Sequence, residues 1–319
     1  MWKKLLSLTL CVSTLLLGGC GMTSNKIRFG TAALGGMYHS FGSAFTQLVS
    51  TEDIDCQMEM KTTAGSAANL RLLSDGYIEL GIAQMDLTAD AYKGTGIFEG
   101  KEYQGFKAIA GLYTEACQIV VRADSSIHSL NDLRGKTISI GEEDSGTERN
   151  ANQILKASGL SSELVHTLNL DYAQAASQLQ SGDIDALFCT AGVQTTVIDE
   201  LSRQCDIRLL SIDKDCLDKL LQLNDCYSTY IIPADTYNGQ TEEVTTLGVQ
   251  AVLLASDKLS EKTVEQLTEL LFSHAQDIQY SIPVDLQMNE ISATQGITIP
   301  FHPGAAAYYA KQNIQVSTE

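Results

Sequence analysis

Residues 27–38 read Ile27-Arg28-Phe29-Gly30-Thr31-Ala32-Ala33-Leu34-Gly35-Gly36-Met37-Tyr38. A short apolar strand runs into a glycine-rich turn, and a helix opens directly behind it. That helix, about residues 38–49, sets Phe41, Phe45, Leu48 and Val49 on one face, the spacing of a core-facing helix. A second strand spans residues 56–61. The small-residue turn Thr62-Thr63-Ala64-Gly65-Ser66 then opens a helix through Leu70, Leu72 and Leu73. A third strand, Leu80-Gly81-Ile82-Ala83, ends at Gln84-Met85-Asp86. Strands alternating with helices predict an α/β fold with a mostly parallel sheet flanked by helices.

The same order returns downstream. Lys136-Thr137-Ile138-Ser139-Ile140-Gly141 reads as a strand, Asp144-Ser145-Gly146-Thr147 as a turn, and residues 148–158 as a helix stopped by Gly159. A strand at 165–170, a helix at 173–180 and a strand at 185–189 follow. Ile78-Glu79 matches Ile184-Asp185 at an offset of 106, and Phe29-Gly30 matches Ile140-Gly141 at an offset of 111. Two similar half-units, one per lobe, are therefore expected. Two apolar stretches, near 118–122 and 249–254, serve as hinge strands. They assign residues 27–117 and 248–319 to the first lobe and 118–247 to the second. A single long helix is expected over about 262–279.

The N-terminus reads as a secretory signal. Lys3 and Lys4 precede an apolar run at 5–17, shorter than the roughly 20 residues of a membrane span. Residues 1–19 are expected to be the signal peptide and 20–26 a tether. The net charge of −18 argues against nucleic acid as a partner, because phosphate binding needs Lys/Arg stripes. An anionic ligand would then need local positive potential from helix N-termini and backbone amides. Beyond Cys20, the cysteines are Cys56, Cys117, Cys189, Cys205, Cys216 and Cys226. Their spacing and the absence of a His cluster exclude a zinc motif. Scattered buried thiols are expected, with Cys216–Cys226 the best candidate for a disulfide.

Leu17-Gly18-Gly19-Cys20 resembles a bacterial lipobox, which implies lipidation of Cys20 and anchoring outside the cytoplasmic membrane face. The turns resemble those of the TAXI family, the TRAP-associated extracytoplasmic solute receptors. The resemblance is carried by Gly30-Thr31 with Gly35-Gly36-Met37-Tyr38, by Thr63-Ala64-Gly65-Ser66-Ala67-Ala68-Asn69 and by Gln84-Met85-Asp86. It continues through Ser129-Leu130-Asn131-Asp132-Leu133-Arg134-Gly135-Lys136, Ser145-Gly146-Thr147, Gly182-Asp183-Ile184-Asp185-Ala186 and Ile299-Pro300-Phe301-His302-Pro303-Gly304-Ala305. Phe301 stands where the family pattern suggests Leu. The resemblance implies a two-lobed, type II periplasmic-binding fold and capture of glutamate, glutamine or a related small carboxylate. It also implies delivery to a TRAP membrane permease driven by an ion gradient.

In open α/β sheets, ligands bind beyond the carboxyl ends of the strands. That places the candidate ligand contacts at Gly36, Met37 and Tyr38, at Ser66 and Asn69, and at Gln84 and Asp86. The facing wall is expected to contribute Ser145, Gly146 and Thr147, with Gly192 and Gln194 beside them. Glycines let backbone approach the ligand, amides at helix starts hold a carboxylate, and Asp86 offers an acceptor for an ammonium. Asp185, with its counterpart Glu79, reads as structural. Neither Gly141-x4-Gly146-Thr147 nor Gly30-x4-Gly35 ends as a P-loop does, and no HExxH or Gly-x-Ser-x-Gly pattern occurs. The expectation is a monomeric binding protein with no cofactor, no metal and no catalytic residues. A ligand sensor signalling to a membrane kinase, or an exported enzyme, are the alternative readings.

Overall fold

A computed structural model describes residues 26–52, 54, 56–282 and 288–319. The expected signal peptide and Cys20 lie outside the described residues. The first half-unit is β1 (Lys26–Gly30), α1 (Met37–Thr51), β2 (Gln57–Lys61), α2 (Ser66–Ser74), β3 (Leu80–Gln84) and α3 (Met85–Lys93). The long strand β4 (Phe106–Arg122) leads to the second, made of β5 (Thr137–Ser139), α4 (Gly146–Ala157), β6 (His166–Leu168), α5 (Tyr172–Ser181), β7 (Ala186–Ala191) and α6 (Thr196–Gln204). Then come β8 (Ile207–Leu209), α7 (Lys214–Leu223), β9 (Tyr227–Ile232) and β10 (Val244–Ser256). The chain closes with α8 (Glu261–Ser273), α9 (Ala275–Ser281), α10 (Glu290–Ala293) and α11 (Pro303–Lys311).

Among the described residues the strands run in the order β2-β1-β3-β10-β4-β7-β5-β6, with β9 on β10 and β8 on β4. The three outer strands of each half pair in parallel, β1 with β2 and β3, and β5 with β6 and β7. The two long strands pair antiparallel to β3, to β7 and to each other. The sheet is thus mixed rather than mostly parallel, because β4 and β10 run back through both halves.

The repeat extends to side chains. Glu79 Oε2 accepts the backbone N–H of Arg28 at 2.7 Å, and Asp185 Oδ2 accepts that of Thr137 at 2.9 Å. Each carboxylate thereby tethers the loop before the third strand to the central strand of its half. A basic residue completes each pair: Arg28 bonds Glu79 at 2.5 Å, and Lys136 sits 3.4 Å from Asp185. These acids are structural, as their matched positions predict.

Three apolar clusters form the core. The first joins β1, α1, α2, β3 and the early part of β4, through Tyr113, to β10 from Ala251 onward and to α8 and α11. The other two cover opposite faces of the second half. Cys117, Ile119 and Val121 of β4 face one, and Ala116 and Val120 the other, the period-2 alternation of a strand covered on both sides. On β4 the change of core falls between Tyr113 and Ala116, earlier than the stretch near 118–122 that the apolar run suggested. Polar Thr114 and Glu115 occupy the crossing, and Gln250 lies opposite Thr114 in the ladder.

The expected single helix is corrected, and of the two cysteine readings scattered thiols hold over the Cys216–Cys226 bridge. The helix anticipated over 262–279 is broken at His274, which leaves α-geometry (φ −115, ψ 23) to begin α9 with its Nδ1 2.8 Å from Asp277 Oδ2. Cys117, Cys189, Cys205, Cys216 and Cys226 are free thiols. Cys216 packs in the second lobe, its Sγ toward Ile154 O, whereas Cys226 packs against the first-lobe cluster. The two sulfurs belong to different cores, which rules out the bridge that their spacing invited.

The His-Pro-Gly motif has a packing role. His302 caps α11, its Nδ1 accepting the Gly304 N–H at 3.1 Å, and Pro303 occupies the first turn, where its missing N–H costs nothing. A Cβ on Gly304 would sit 2.2 Å from the Glu261 carbonyl oxygen of α8. Gly304→Ala is therefore expected to lower stability by about 1–3 kcal/mol through overpacking. A lower urea midpoint at unchanged m-value would register it.

Candidate functional site

Between the two halves lies a narrow cavity of about 40 Å³, room for about three waters in this arrangement. Among the described residues, five helix N-termini reach it. They are represented by Gly36 and Met37 of α1, Gly65 and Ser66 of α2, Gln84 before α3, Ser145 and Gly146 of α4, and Asp171 and Tyr172 of α5. Each helix follows a strand whose carboxyl end points at the cavity, so each turns the positive end of its dipole toward it. Among the described lining residues none is Lys or Arg, while Glu115, Glu142 and Asp171 are carboxylates.

Local chemistry explains the walls. Gly65 adopts φ 119, a region closed to side-chain-bearing residues. A Cβ on Gly146 would lie 2.4 Å from Gln84 Cδ of the opposite wall, so glycine here lets the lobes meet. Ser145 Oγ caps α4 by accepting the Glu148 N–H at 3.0 Å. On the second wall Thr147 Oγ1 accepts the Thr190 N–H at 3.1 Å, donates to Tyr172 Oη at 2.7 Å, and Tyr172 in turn donates to the Thr190 carbonyl at 3.1 Å.

The first wall carries a directed chain. The Gln84 N–H donates to Ser66 Oγ at 3.1 Å, Ser66 Oγ lies 3.2 Å from Tyr38 Oη, and Tyr38 donates to Glu115 Oε2 at 2.8 Å. The chain ends on Glu115, which is 2% exposed and sits where β4 crosses between cores. Burial is the main cause that raises its pKa, to about 8, against the hydrogen bonds from Tyr38 and Gln84. Burial also raises Glu142, helped by Asp171.

Eight of the twelve predicted ligand contacts line this cavity: Gly36, Met37, Tyr38, Ser66, Gln84, Ser145, Gly146 and Thr147. The structure places the other four elsewhere. Asn69 is fully buried behind the wall, where Nδ2 donates to Thr31 O at 2.7 Å and Ile82 O at 2.9 Å and Oδ1 accepts from Thr63 at 2.8 Å. It ties the ends of β1 and β3 together and has no face toward the cavity. Gln194 lines a separate hollow on the far side of the hinge strands, beside Tyr113 and Tyr230, and its N–H donates to Tyr237 Oη at 2.9 Å. Gly192 is buried just past the end of β7, beyond the lining residues Thr190 and Ala191.

Asp86 belongs to a contact between lobes. Tyr227 of β9 donates to Asp86 Oδ2 at 2.7 Å, and Asn150 of α4 donates to Tyr227 Oη at 3.2 Å. The Gln153 amide nitrogen also donates to that phenol, and its oxygen accepts from Arg149 Nη2 at 3.0 Å. Arg149 closes the circuit on Asp90 at 2.7 Å, one turn along α3 from Asp86. Arg71 to Asp144 at 2.5 Å and Thr195 Oγ1 to Gly35 O at 3.1 Å also span the lobes. These contacts hold the lobes together around the cavity, the closed arrangement.

Sequence reasoning missed Glu115, Asp171, Tyr172 and Thr190. A signal existed for each. Glu115 is the one acid in β4. Asp171, Tyr172 and Thr190 stand at the offset of 106 from Gly65, Ser66 and Gln84.

Two outcomes follow. Because the folded Glu115 keeps its proton to about 8, against 4.5 for a free side chain, its contribution to stability is complete below the lower value. It declines as pH rises and is gone above the higher one. A Tm profile across that window should fall more steeply for the native chain than for Glu115→Gln. Tyr227→Phe should destabilise the closed arrangement by about 1–3 kcal/mol, measured as a larger radius of gyration in solution scattering and faster ligand release.

The family model described as the NMT1-like family matches residues 29–312. Among solved structures, the chain is similar to the alkanesulfonate-binding protein SsuA from Xanthomonas axonopodis pv. citri bound to MOPS. That match has 17% identity over 91% of each chain and a TM-score of 0.51. A Bordetella bronchiseptica RB50 protein matches at 16% identity over 92% of this chain and 84% of that one, with a TM-score of 0.54. A binding protein component of an ABC phosphonate transporter from Pseudomonas aeruginosa matches at 13% identity over 78% and 74%, with a TM-score of 0.53. At these identities the likeness carries the fold, which is the two-lobed α/β, type II periplasmic-binding arrangement.

Proposed function

The chain belongs to the NMT1-like family, and from that premise and the two-walled cavity we propose that it is an extracytoplasmic solute-binding lipoprotein. It captures a small carboxylate or amino acid, of the glutamate or glutamine kind, by closure of the lobes. It then hands the ligand to a TRAP-type membrane permease, with Cys20 as the lipid attachment point. The observation that carries this reading is the convergence of five helix N-termini on one cavity between the lobes, among the described residues. Oriented N–H groups from both walls meet the same anion only when the lobes close, so ligand binding shifts the population toward the closed state. The signal-like N-terminus and the lipobox support the location, and the ordered TAXI-like turns support the transporter class.

The test is calorimetric titration of the mature chain, freed of co-purified ligand, with glutamate, glutamine, small dicarboxylates, an alkanesulfonate and a phosphonate. Micromolar or tighter binding of a carboxylate ligand is expected. Gly146→Val, which fills the space taken by Gln84 across the cleft, should weaken it roughly 10- to 100-fold. Binding of the sulfonate or phosphonate instead would replace the ligand class and favour an ABC-type partner over a TRAP permease.

A further inference from the structure

We propose that the hollow behind the hinge strands is the counterpart of the cleft: it widens as the lobes close, so the side chains that fill it set ligand affinity without touching the ligand. This rests on reading the interlobe cavity as the ligand site.

The hollow and the cavity lie on opposite faces of the sheet. Successive residues of a strand point to opposite faces. Glu115 lines the interlobe cavity, and its neighbour Thr114 lines the hollow. Gln250, opposite Thr114 in the ladder, lines the hollow as well. The β4–β10 crossing therefore stands between the two spaces. Both lobes wall the hollow. On the first-lobe side are Asn289 and Ser292 of α10, a helix whose Ala293 belongs to the first core. On the other side are Tyr230 and Thr236, and Tyr230 packs with Tyr237 in a second-lobe core.

A hinge with walls on both of its faces works as a lever. Bringing the walls together on one face draws them apart on the other. The volumes match the closed end of that motion, with about 40 Å³ in the cavity and about 610 Å³ in the hollow. Opening the cleft swings α10 and the Thr236 loop toward each other and takes up that space. Among the described residues lining the hollow none is Asp, Glu, Lys, Arg or His, so volume sets the effect and charge does not.

The floor of the hollow is fitted to this use. Gly111 does not lie at positive φ, so its backbone makes no demand for glycine. A Cβ there would sit 2.3 Å from Gln250 Nε2, and one on Gly296, just past α10, 3.0 Å from Gln250 Oε1. Glycine at 111 thus makes room for the Gln250 side chain, which stands between the crossing and the end of α10. Gln250 is a spacer that limits how far the hollow narrows when the cleft opens. Added bulk in the hollow obstructs the open arrangement and spares the closed one. It enlarges the closed fraction of the ligand-free chain, and apparent affinity rises with that fraction.

The experiment fills the hollow from each wall in turn, with Ser292→Trp and Thr236→Trp in the mature chain. The readouts are the radius of gyration of the ligand-free protein in solution scattering and calorimetric titration with glutamate. Both variants should be more compact than the ligand-free native chain and bind glutamate about 3- to 30-fold more tightly. Gln250→Ala, which removes the spacer, should weaken glutamate by a similar factor. Opposite signs from one hollow distinguish a lever from general damage, which would weaken all three. Unchanged radius and affinity in the folded tryptophan variants, or weaker binding in both, would overturn the lever and leave the binding function standing. Compaction of the ligand-free tryptophan variants, with no glutamate bound by any chain including the native one, would uphold the lever and overturn glutamate as the ligand.

Discussion

The β4–β10 ladder is the constraint on which the rest depends. Both strands run from the first core into the second, paired from Phe106↔Ser256 to Ala116↔Gly248 with register shifts at Ile109 and Leu112. From Tyr113 to Ala116 the ladder is regular and satisfies the backbone groups at the crossing, so the link between lobes needs no loop and has a defined direction. That direction turns the carboxyl ends of both parallel half-sheets toward the same space. The apolar clusters stop on either side of the crossing, and Thr114, Glu115 and Gln250 fill the gap between them. Glu115 faces the interlobe cavity from this crossing, whereas Thr114 and Gln250 line the separate hollow that Gln194 shares.

Electrostatics follows from the same placement. The chain carries a net charge of −18, and the described lining residues include no cationic side chain. Positive potential in the cleft comes from helix ends, each equivalent to roughly half a unit charge. Several such ends converge on this one small cavity, while surface charges are screened over about 8–10 Å in salt.

Closure is stabilised away from the cavity as well. α3 presents Asp86 and Asp90 one turn apart, and the second lobe meets them with Tyr227 and Arg149. Burial raises the pKa of Asp86 against the pull of Tyr227 and Arg149, the mark of a carboxyl removed from water when the lobes meet. The aspartate read from sequence as a ligand group is therefore a contact between lobes. It holds the two lobes together from a position outside the cavity lining.

The order of strands, turns and helices was legible in the sequence, because hydrophobic periodicity and small-residue turns act over a few residues. The repeat was legible too, down to the matched acids Glu79 and Asp185, and so were the turns that form both walls, including Gly36, Ser66, Ser145 and Gly146. Tertiary structure alone decided which side chains at those turns face the cavity. Asn69 turns inward to bond the ends of β1 and β3, and Asp86 finds Tyr227 at a separation of 141 residues. It also decided that Cys216 and Cys226 stay apart and that Glu115 lies at the crossing. The reason is physical: a side chain's partners depend on which distant segment packs against it, and local pattern carries no information about that distance.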